Sequence, residues 1–130
     1  MVDRMDRLAD AINVIRTHER MGRVECVVNS TKLLKSVLSV MQRESYVNSF
    51  EEFADGKISK LRIKLSNRIN GIGVVKPRYS VKRDMIQKYE SRYIPSRDFG
   101  ILVLSTPYGM VTNREAKAKG TGGRLVLYVY

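Results

Sequence analysis

The sequence has 130 residues, of which 43% are hydrophobic, and these totals fit one domain or two very small ones with a buried core. Its 24 Lys and Arg residues outnumber its 13 Asp and Glu residues, and the resulting charge of +11 favours a polyanionic partner such as nucleic acid. No apolar run approaches the ~20 residues that span a bilayer, and Cys26 is the only cysteine, which excludes an intramolecular disulfide and indicates an intracellular protein.

The first half of the chain predicts the element order α-β-α-β-β. Its elements are a helix that ends by Gly22, a strand at 24–28, a helix capped by Asn29, Ser30 or Thr31, a strand at 46–53, a turn at Asp55-Gly56 and a return strand at 58–66. The apolar face of the second helix consists of Leu33, Leu34, Val37, Leu38 and Met41. In the return strand, core residues alternate with Lys60, Arg62 and Lys64, which predicts either a solvated sheet face or an RNA contact.

The second half predicts a smaller part that consists mainly of strands. Its elements are short strands at 74–75 and 79–81, a brief helix through Met85, Ile86 and Tyr89 with Asp84 as its cap, a loop at 93–100, a strand at 101–105, a helix at 113–119 and a closing strand at 125–130. We therefore predict an α+β fold of two small subdomains, residues 1–66 and 67–130, the second mainly β with a short helix.

Catalytic chemistry finds little support in the residue pattern. His18 is the only histidine and lies in a basic stretch, and Ser105 has no acid–histidine pair around it. The glycines of GTGG (residues 120–123) follow a predicted helix and precede a strand, which favours a helix C-cap and turn over nucleotide binding. We predict no enzyme, no metal site, no cofactor and no small-molecule substrate.

Residues 105–114 gather small hydroxyl side chains around a turn. Ser105 and Thr106 end a buried strand, and Thr112 or Asn113 begins the next helix. Backbone N–H groups at that helix start can hold a phosphate or a base edge, and Arg114, Lys117 and Lys119 add positive charge. The alternative is a hydroxyl-closed turn and an N-cap with local roles only, and the spacing favours neither.

The segment STPYGMVTNREAKAKGTGG, followed by LVLYVY, resembles the C-terminal signature of the family of the eighth protein of the small ribosomal subunit. Residues 8–16 and 30–41 look like the first two helices of that family. KPRYSVK (residues 76–82) and IPSRDFG (residues 94–100) are similar to segments of its archaeal and eukaryotic branch. The resemblance covers essentially the whole chain.

This resemblance implies a structural constituent of the cytoplasmic small ribosomal subunit that supports subunit assembly and translation beside neighbouring ribosomal proteins, with no membrane partner. Members bind an irregular helix in the central domain of small-subunit rRNA through its minor groove. The RNA-binding residues that it implies are Lys32, Lys35, Lys76, Arg78, Lys82, Ser105, Thr106, Gly109, Gly122 and Gly123. Together with the residues of the turn and the next helix, the predicted set also includes Tyr108, Thr112, Asn113, Arg114 and Lys117.

The chain departs from the family pattern in three places: Pro107 replaces a hydroxyl residue, Met110-Val111 inverts the usual order, and Thr31 is an extra residue before Lys32. Other functions stay open. A free-standing basic nucleic-acid binder, such as an RNA chaperone or a chromatin-like protein, explains the charge, although recognition-helix and zinc motifs are missing. A phosphate-ester hydrolase that uses Ser105 comes third, and a purely protein–protein scaffold leaves the charge unexplained.

Overall fold

The computed structural model describes residues 4–75, 79–96 and 99–130. It divides into two compact units, Met1–Ile69 and Asn70–Tyr130. The α+β class is confirmed, since helices and two antiparallel sheets share the chain. Compactness does not establish that either unit folds alone, so the domain boundary between residues 66 and 67 stays a prediction.

The N-terminal unit has the predicted order α-β-α-β-β. Its elements are α1 (Arg4–Arg20), β1 (Glu25–Asn29), α2 (Lys32–Arg43), β2 (Val47–Asp55) and β3 (Ile58–Leu65). The strands form an antiparallel sheet in the order β1-β3-β2. Leu61, Ile63 and Leu65 of β3 are buried, as the alternation predicts. Cys26, Val28 and Val47 of the other two strands and the apolar faces of the two helices complete this core.

Local details of α2 follow its sequence closely. Thr31, one of the three candidate caps, accepts a hydrogen bond at Oγ1 from the backbone N–H of Leu34 over 3.1 Å. The predicted apolar face needs two corrections, because Leu33 is only half-buried and Val40 is buried. In the neighbouring strand, burial raises the pKa of the Cys26 thiol to about 11, as expected for a structural cysteine.

The outward side of β3 carries Lys60, Arg62 and Lys64, which we call the cationic sheet face. Each cation has a carboxylate partner on an adjacent strand: Asp55 and Glu51 on β2, and Glu25 on β1, at N–O distances of 3.0 to 3.1 Å. Within each cross-strand pair, the negative charge of the carboxylate offsets the positive charge of its partner. This arrangement favours the solvated sheet face over the RNA contact.

The C-terminal unit is a five-stranded antiparallel sheet with two short helices. Its elements are β4 (Ile72–Val74), β5 (Ser80–Val81), a 3-10 turn (Arg83–Met85), α3 (Ile86–Tyr93), β6 (Ile101–Thr106), β7 (Gly109–Thr112), α4 (Asn113–Lys119) and β8 (Gly123–Val129). The strand order is β4-β8-β6-β7, and β5 pairs with β8 beyond the end of β4. Its core includes Leu102, Leu104 and Leu125 of the sheet, Ile86 of α3 and Ala116 of α4.

Two expectations for this unit were wrong. Residues 109–112 are a strand, because their backbone pairs with β6, whereas the sequence suggested only a turn. Asp84 does not cap the following helix: it lies inside the 3-10 turn, whose cap residue, Lys82, makes no side-chain capping bond. By contrast, Gly120 adopts the left-handed conformation and ends α4, which confirms the predicted C-cap.

Candidate nucleic-acid interface

The β6–β7 hairpin presents the hydroxyl segment of the sequence. Thr106 and Gly109 are the last paired residues, so Pro107 and Tyr108 form a two-residue tip. The Thr106 hydroxyl donates to the carbonyl oxygen of Gly109 over 2.9 Å and accepts from the N–H of Tyr108 over 3.0 Å. Gly109 has a φ of +104°, which favours glycine. The local alternative, a hydroxyl-closed turn, is therefore what the Thr106 side chain provides.

Two backbone N–H groups at the start of α4 are already hydrogen-bonded to side chains of the same segment. Thr112 Oγ1 accepts from the N–H of Glu115, and the Glu115 carboxylate accepts from the N–H of Thr112, each over 3.1 Å. Thr112 is 1% exposed. This capping box favours the second alternative, an N-cap with a local role, for the Thr112 side chain.

A buried polar network lies beneath the hairpin and α4. Asn113 is fully buried, and its Oδ1 accepts from the N–H of Leu102 in β6 over 3.1 Å. Its side-chain amide donates to the carboxylate of Glu90, which is only 2% exposed and also accepts from Lys117 Nζ over 2.6 Å. Asn113 therefore holds the base of the hairpin, and the charge of Lys117 is offset by Glu90.

Three neighbouring strands align polar side chains on one face of the sheet. Arg124 of β8 lies opposite Ser80 of β5 on one side and opposite Ser105 of β6 on the other. Arg124 and Ser80 are exposed and Ser105 is half-buried. Within the described part of the chain, Ser105 Oγ has no hydrogen-bond partner and Arg124 has no carboxylate partner. Of the hydroxyl groups that the sequence analysis singled out, the one on Ser105 is therefore available to bind a ligand.

A shallow cavity of about 420 Å³ opens at this row. It is lined by Ser80, Val81, Lys82, Ser105, Thr106, Pro107, Gly123 and Arg124. Sequence reasoning missed Ser80 and Arg124, because strand pairing, not proximity in sequence, brings them to Ser105. One signal was present: Arg124 is the only charged residue in the apolar closing strand.

The hairpin tip exposes an aromatic ring. Tyr108 is 67% exposed, and Lys119 Nζ lies 5.4 Å from the centre of its ring. An exposed ring with an adjacent cation can stack on a nucleobase and attract the neighbouring phosphate at the same time. Tyr108 and Lys119 therefore have the chemistry of a single-nucleotide contact.

Gly122 and Gly123 owe their positions to the close approach of strands. A Cβ on Gly123 would lie 2.6 Å from the carbonyl oxygen of Ser105, and one on Gly122 would collide with the carbonyl oxygen of Val81. Both glycines thus allow β8 to pass beside β6 and β5. They shape the cavity without offering a side chain to a ligand.

The remaining predicted residues have varied surroundings. Lys82 and Arg114 are exposed, whereas Lys76 and Arg78 lie outside the described residues. Lys32 and Lys35 belong to the N-terminal unit, where Lys32 is exposed and Lys35 Nζ lies 3.4 Å from the carboxylate of Glu52. Hydrogen bonds from Ser59 and Ser30, together with Lys35, lower the pKa of Glu52 to about 2.

The described ranges offer neither a metal-ligand cluster nor a membrane-spanning helix. In residues 4–75, 79–96 and 99–130, no cluster of three or more His, Cys, Asp or Glu residues is placed to hold a metal ion. None of the helices described there is long and apolar enough to cross a membrane. His18 Nδ1 lies 2.8 Å from the carbonyl oxygen of Val14, one turn earlier in α1.

Comparison with known proteins gives two findings. The sequence model of the family described as ribosomal protein S8 matches residues 6–130. The small ribosomal subunit protein uS8 of Thermoplasma volcanium is 46% identical to this chain over 128 residues, which cover 98% of this chain and 99% of that protein. Both similarities extend across the two units and include the hairpin.

Proposed function

The chain belongs to the ribosomal protein S8 family, and from that premise we propose that it is a structural, non-enzymatic constituent of the small ribosomal subunit. It binds small-subunit rRNA directly and lies beside neighbouring small-subunit proteins on the ribosome in the cytoplasm. Its net charge of +11 suits that role, because each cation placed near a phosphate releases counterions.

The RNA contact that we propose is the hairpin surface, defined as Ser105, Tyr108, Lys119 and Arg124 with Lys82 at its edge. The observation that carries this assignment is the exposed Tyr108 ring with Lys119 beside it at the tip of a rigidly closed hairpin. Lys82 and Arg124 are exposed cations for which the described residues supply no carboxylate. The hairpin surface thus combines stacking, hydroxyl and cationic groups.

These groups suit the minor groove of an irregular RNA helix in the central domain. That groove is wide and shallow and displays ribose hydroxyls and base edges, which the short Ser105 side chain can reach. Cations supply affinity that does not depend on sequence, whereas the hydroxyl and the stacked ring add selectivity. An irregular helix offers an unstacked base to Tyr108, which a regular duplex does not.

The other predicted residues receive supporting roles in this proposal. Thr106 closes the tip, while Thr112 and Asn113 hold the base of the hairpin and Lys117 neutralises Glu90. Gly109, Gly122 and Gly123 permit the backbone geometry. Arg114 adds a phosphate contact, and Lys32, Lys35, Lys76 and Arg78 remain predicted contacts.

The decisive experiment compares Tyr108→Ala with Tyr108→Phe. Binding is measured to a transcript of the rRNA central domain from the same organism and to a scrambled transcript of equal length. We expect Tyr108→Ala to weaken binding to the central domain about tenfold, since a base–aromatic stack contributes roughly 1–3 kcal/mol, and Tyr108→Phe to stay within twofold.

Equal affinity of the wild-type protein for both transcripts would refute the ribosomal assignment and favour the free-standing binder. Specific wild-type binding with no loss in Tyr108→Ala would instead remove the hairpin tip from the contact.

A further inference from the structure

We infer that the cavity between β5, β8 and β6 binds one phosphodiester group of an RNA backbone, with Arg124 as its principal ligand. This inference rests on the proposed function and adds to it the specific group of the RNA that Arg124 binds. The contact is distinct from the stack at Tyr108, because it lies on the sheet and not at the tip of the hairpin.

The register of the three strands determines which hydrogen-bond donors lie beside Arg124. Residues directly opposite each other on adjacent antiparallel strands have Cβ atoms about 5 Å apart and point to the same face. Arg124 is therefore flanked by the hydroxyl groups of Ser80 and Ser105, one from each neighbouring strand. Lys82 lines the same cavity and follows Ser80 by two residues. Residues that carry a guanidinium, an ammonium and two hydroxyl groups thus line one opening.

Neither cation of this row forms an ion pair with a described carboxylate. The described carboxylates of the C-terminal unit are Asp84, Glu90 and Glu115. Glu90 is buried against Asn113 and Lys117, and Glu115 completes the capping box of α4. Arg124 has no carboxylate partner among the described residues. A guanidinium with free N–H groups between two hydroxyls matches the several acceptor oxygens of a phosphate, which it can bind through two parallel hydrogen bonds.

The shape of the cavity favours a phosphate within a chain over a free ion. Its volume of about 420 Å³ is larger than one phosphate needs, and the exposed Pro107 gives it an apolar wall. The attached ribose can pack against that wall while the phosphate meets Arg124 and Lys82. The lack of a side chain at Gly123 leaves space at the base of the cavity, since a Cβ there would collide with the Ser105 carbonyl oxygen and Thr106.

The test compares Arg124→Gln with Arg23→Gln in the full-length protein. Arg23 is also an exposed arginine without a carboxylate partner among the described residues, and it lies in the N-terminal unit, so both variants lose one equivalent charge. Binding to the central-domain transcript is measured by filter retention over a series of salt concentrations. We expect Arg124→Gln to lose at least tenfold in affinity and to reduce the salt slope by about one, as for one lost phosphate contact. Arg23→Gln should stay within twofold of wild type.

A second measurement locates the phosphate. Ethylation of individual phosphates in the transcript should interfere with wild-type binding at a small set of positions, and one of these should become silent in Arg124→Gln. An unchanged interference pattern, or an affinity of Arg124→Gln within twofold of Arg23→Gln, would overturn the inference while leaving the proposed function intact. A wild-type protein that does not prefer the central domain to scrambled RNA would instead contradict the proposed function.

Discussion

The two units each display a group of cations on a sheet, and the two groups differ in their neighbours. The cationic sheet face of the N-terminal unit carries Lys60, Arg62 and Lys64, all ion-paired across strands. On the hairpin surface, Lys82 and Arg124 have no carboxylate partner in the described part of the chain. The charge counts agree: the N-terminal unit has thirteen Lys and Arg against nine Asp and Glu, and the C-terminal unit has eleven against four. A cation binds an external phosphate best where the fold has not already supplied an anion.

The largest effect that we expect concerns what holds the hairpin surface in place. Asn113→Ala removes one of the two partners of the buried Glu90 carboxylate and the side-chain partner of the Leu102 N–H. Burying unsatisfied groups of this kind costs about 3 kcal/mol, so the free energy of unfolding should fall by that amount. Urea denaturation measures it. The matched control is Asn48→Ala, which removes an amide that donates to the Leu65 carbonyl oxygen from an exposed position in β2. A similar loss in both variants would contradict a special role for the network.

A charge-removal experiment tests the comparison itself. Replacing Lys82, Lys119 and Arg124 by Gln should weaken binding to the rRNA central domain about a hundredfold and reduce the salt slope by about three. Replacing Lys60, Arg62 and Lys64 by Gln removes the same formal charge and should cost less than fivefold. Filter binding at several salt concentrations measures both. Equal losses would mean that total charge, and not its local environment, governs binding.

Hydroxyl groups allow a finer contrast within the hairpin. Ser105→Ala should weaken rRNA binding about fivefold and leave the thermal midpoint of unfolding unchanged, because the described residues give its hydroxyl no partner to lose. Thr112→Ala should lower the free energy of unfolding by about 1 kcal/mol through loss of the helix cap. Calorimetry and binding on the same samples separate the two roles. A destabilised Ser105→Ala protein would show that this hydroxyl serves the fold.

The smallest effect concerns Glu52 in the N-terminal unit. Its pKa is lowered to about 2 in the folded protein, so its hydrogen bonds stabilise the fold above the ordinary carboxyl pKa and are lost as the pH falls towards 2. The difference in thermal midpoint between wild type and Glu52→Gln should therefore be largest above pH 5 and shrink between pH 5 and 2. A difference that does not change across that range would disprove the lowered pKa.

Local patterns predicted much of this fold. Helical spacing and capping residues gave the bounds of α2 and α4 closely, and the alternation of apolar and basic residues marked β3. These features depend on residues within a few positions of each other, where sequence and structure are directly linked. β7 escaped detection because its four residues, GMVT, form a strand only through pairing with β6.

The candidate site was only partly predictable for a related reason. The sequence drew attention to the hydroxyls of Ser105, Thr106 and Thr112 alike, but hydrogen bonding divides them into one available group and two that serve the fold. The charge of Lys117 is offset by Glu90, 27 residues away, and Arg124 reaches Ser105 through strand register. Such long-range partners depend on the tertiary structure and leave no local pattern.

The closed tip of the hairpin also affects the kinetics of binding. Thr106 ties the tip through its own hydroxyl, and Asn113 fastens the base, so little rearrangement is needed when RNA arrives. If the hairpin surface is the contact proposed above, we expect association to be limited by diffusion under the attraction of its cations, with a rate that falls steeply as ionic strength rises. We expect the stack at Tyr108 to form only after contact and therefore to govern how long the complex lasts. The association rate and the lifetime of the complex would then depend on different side chains of one small hairpin.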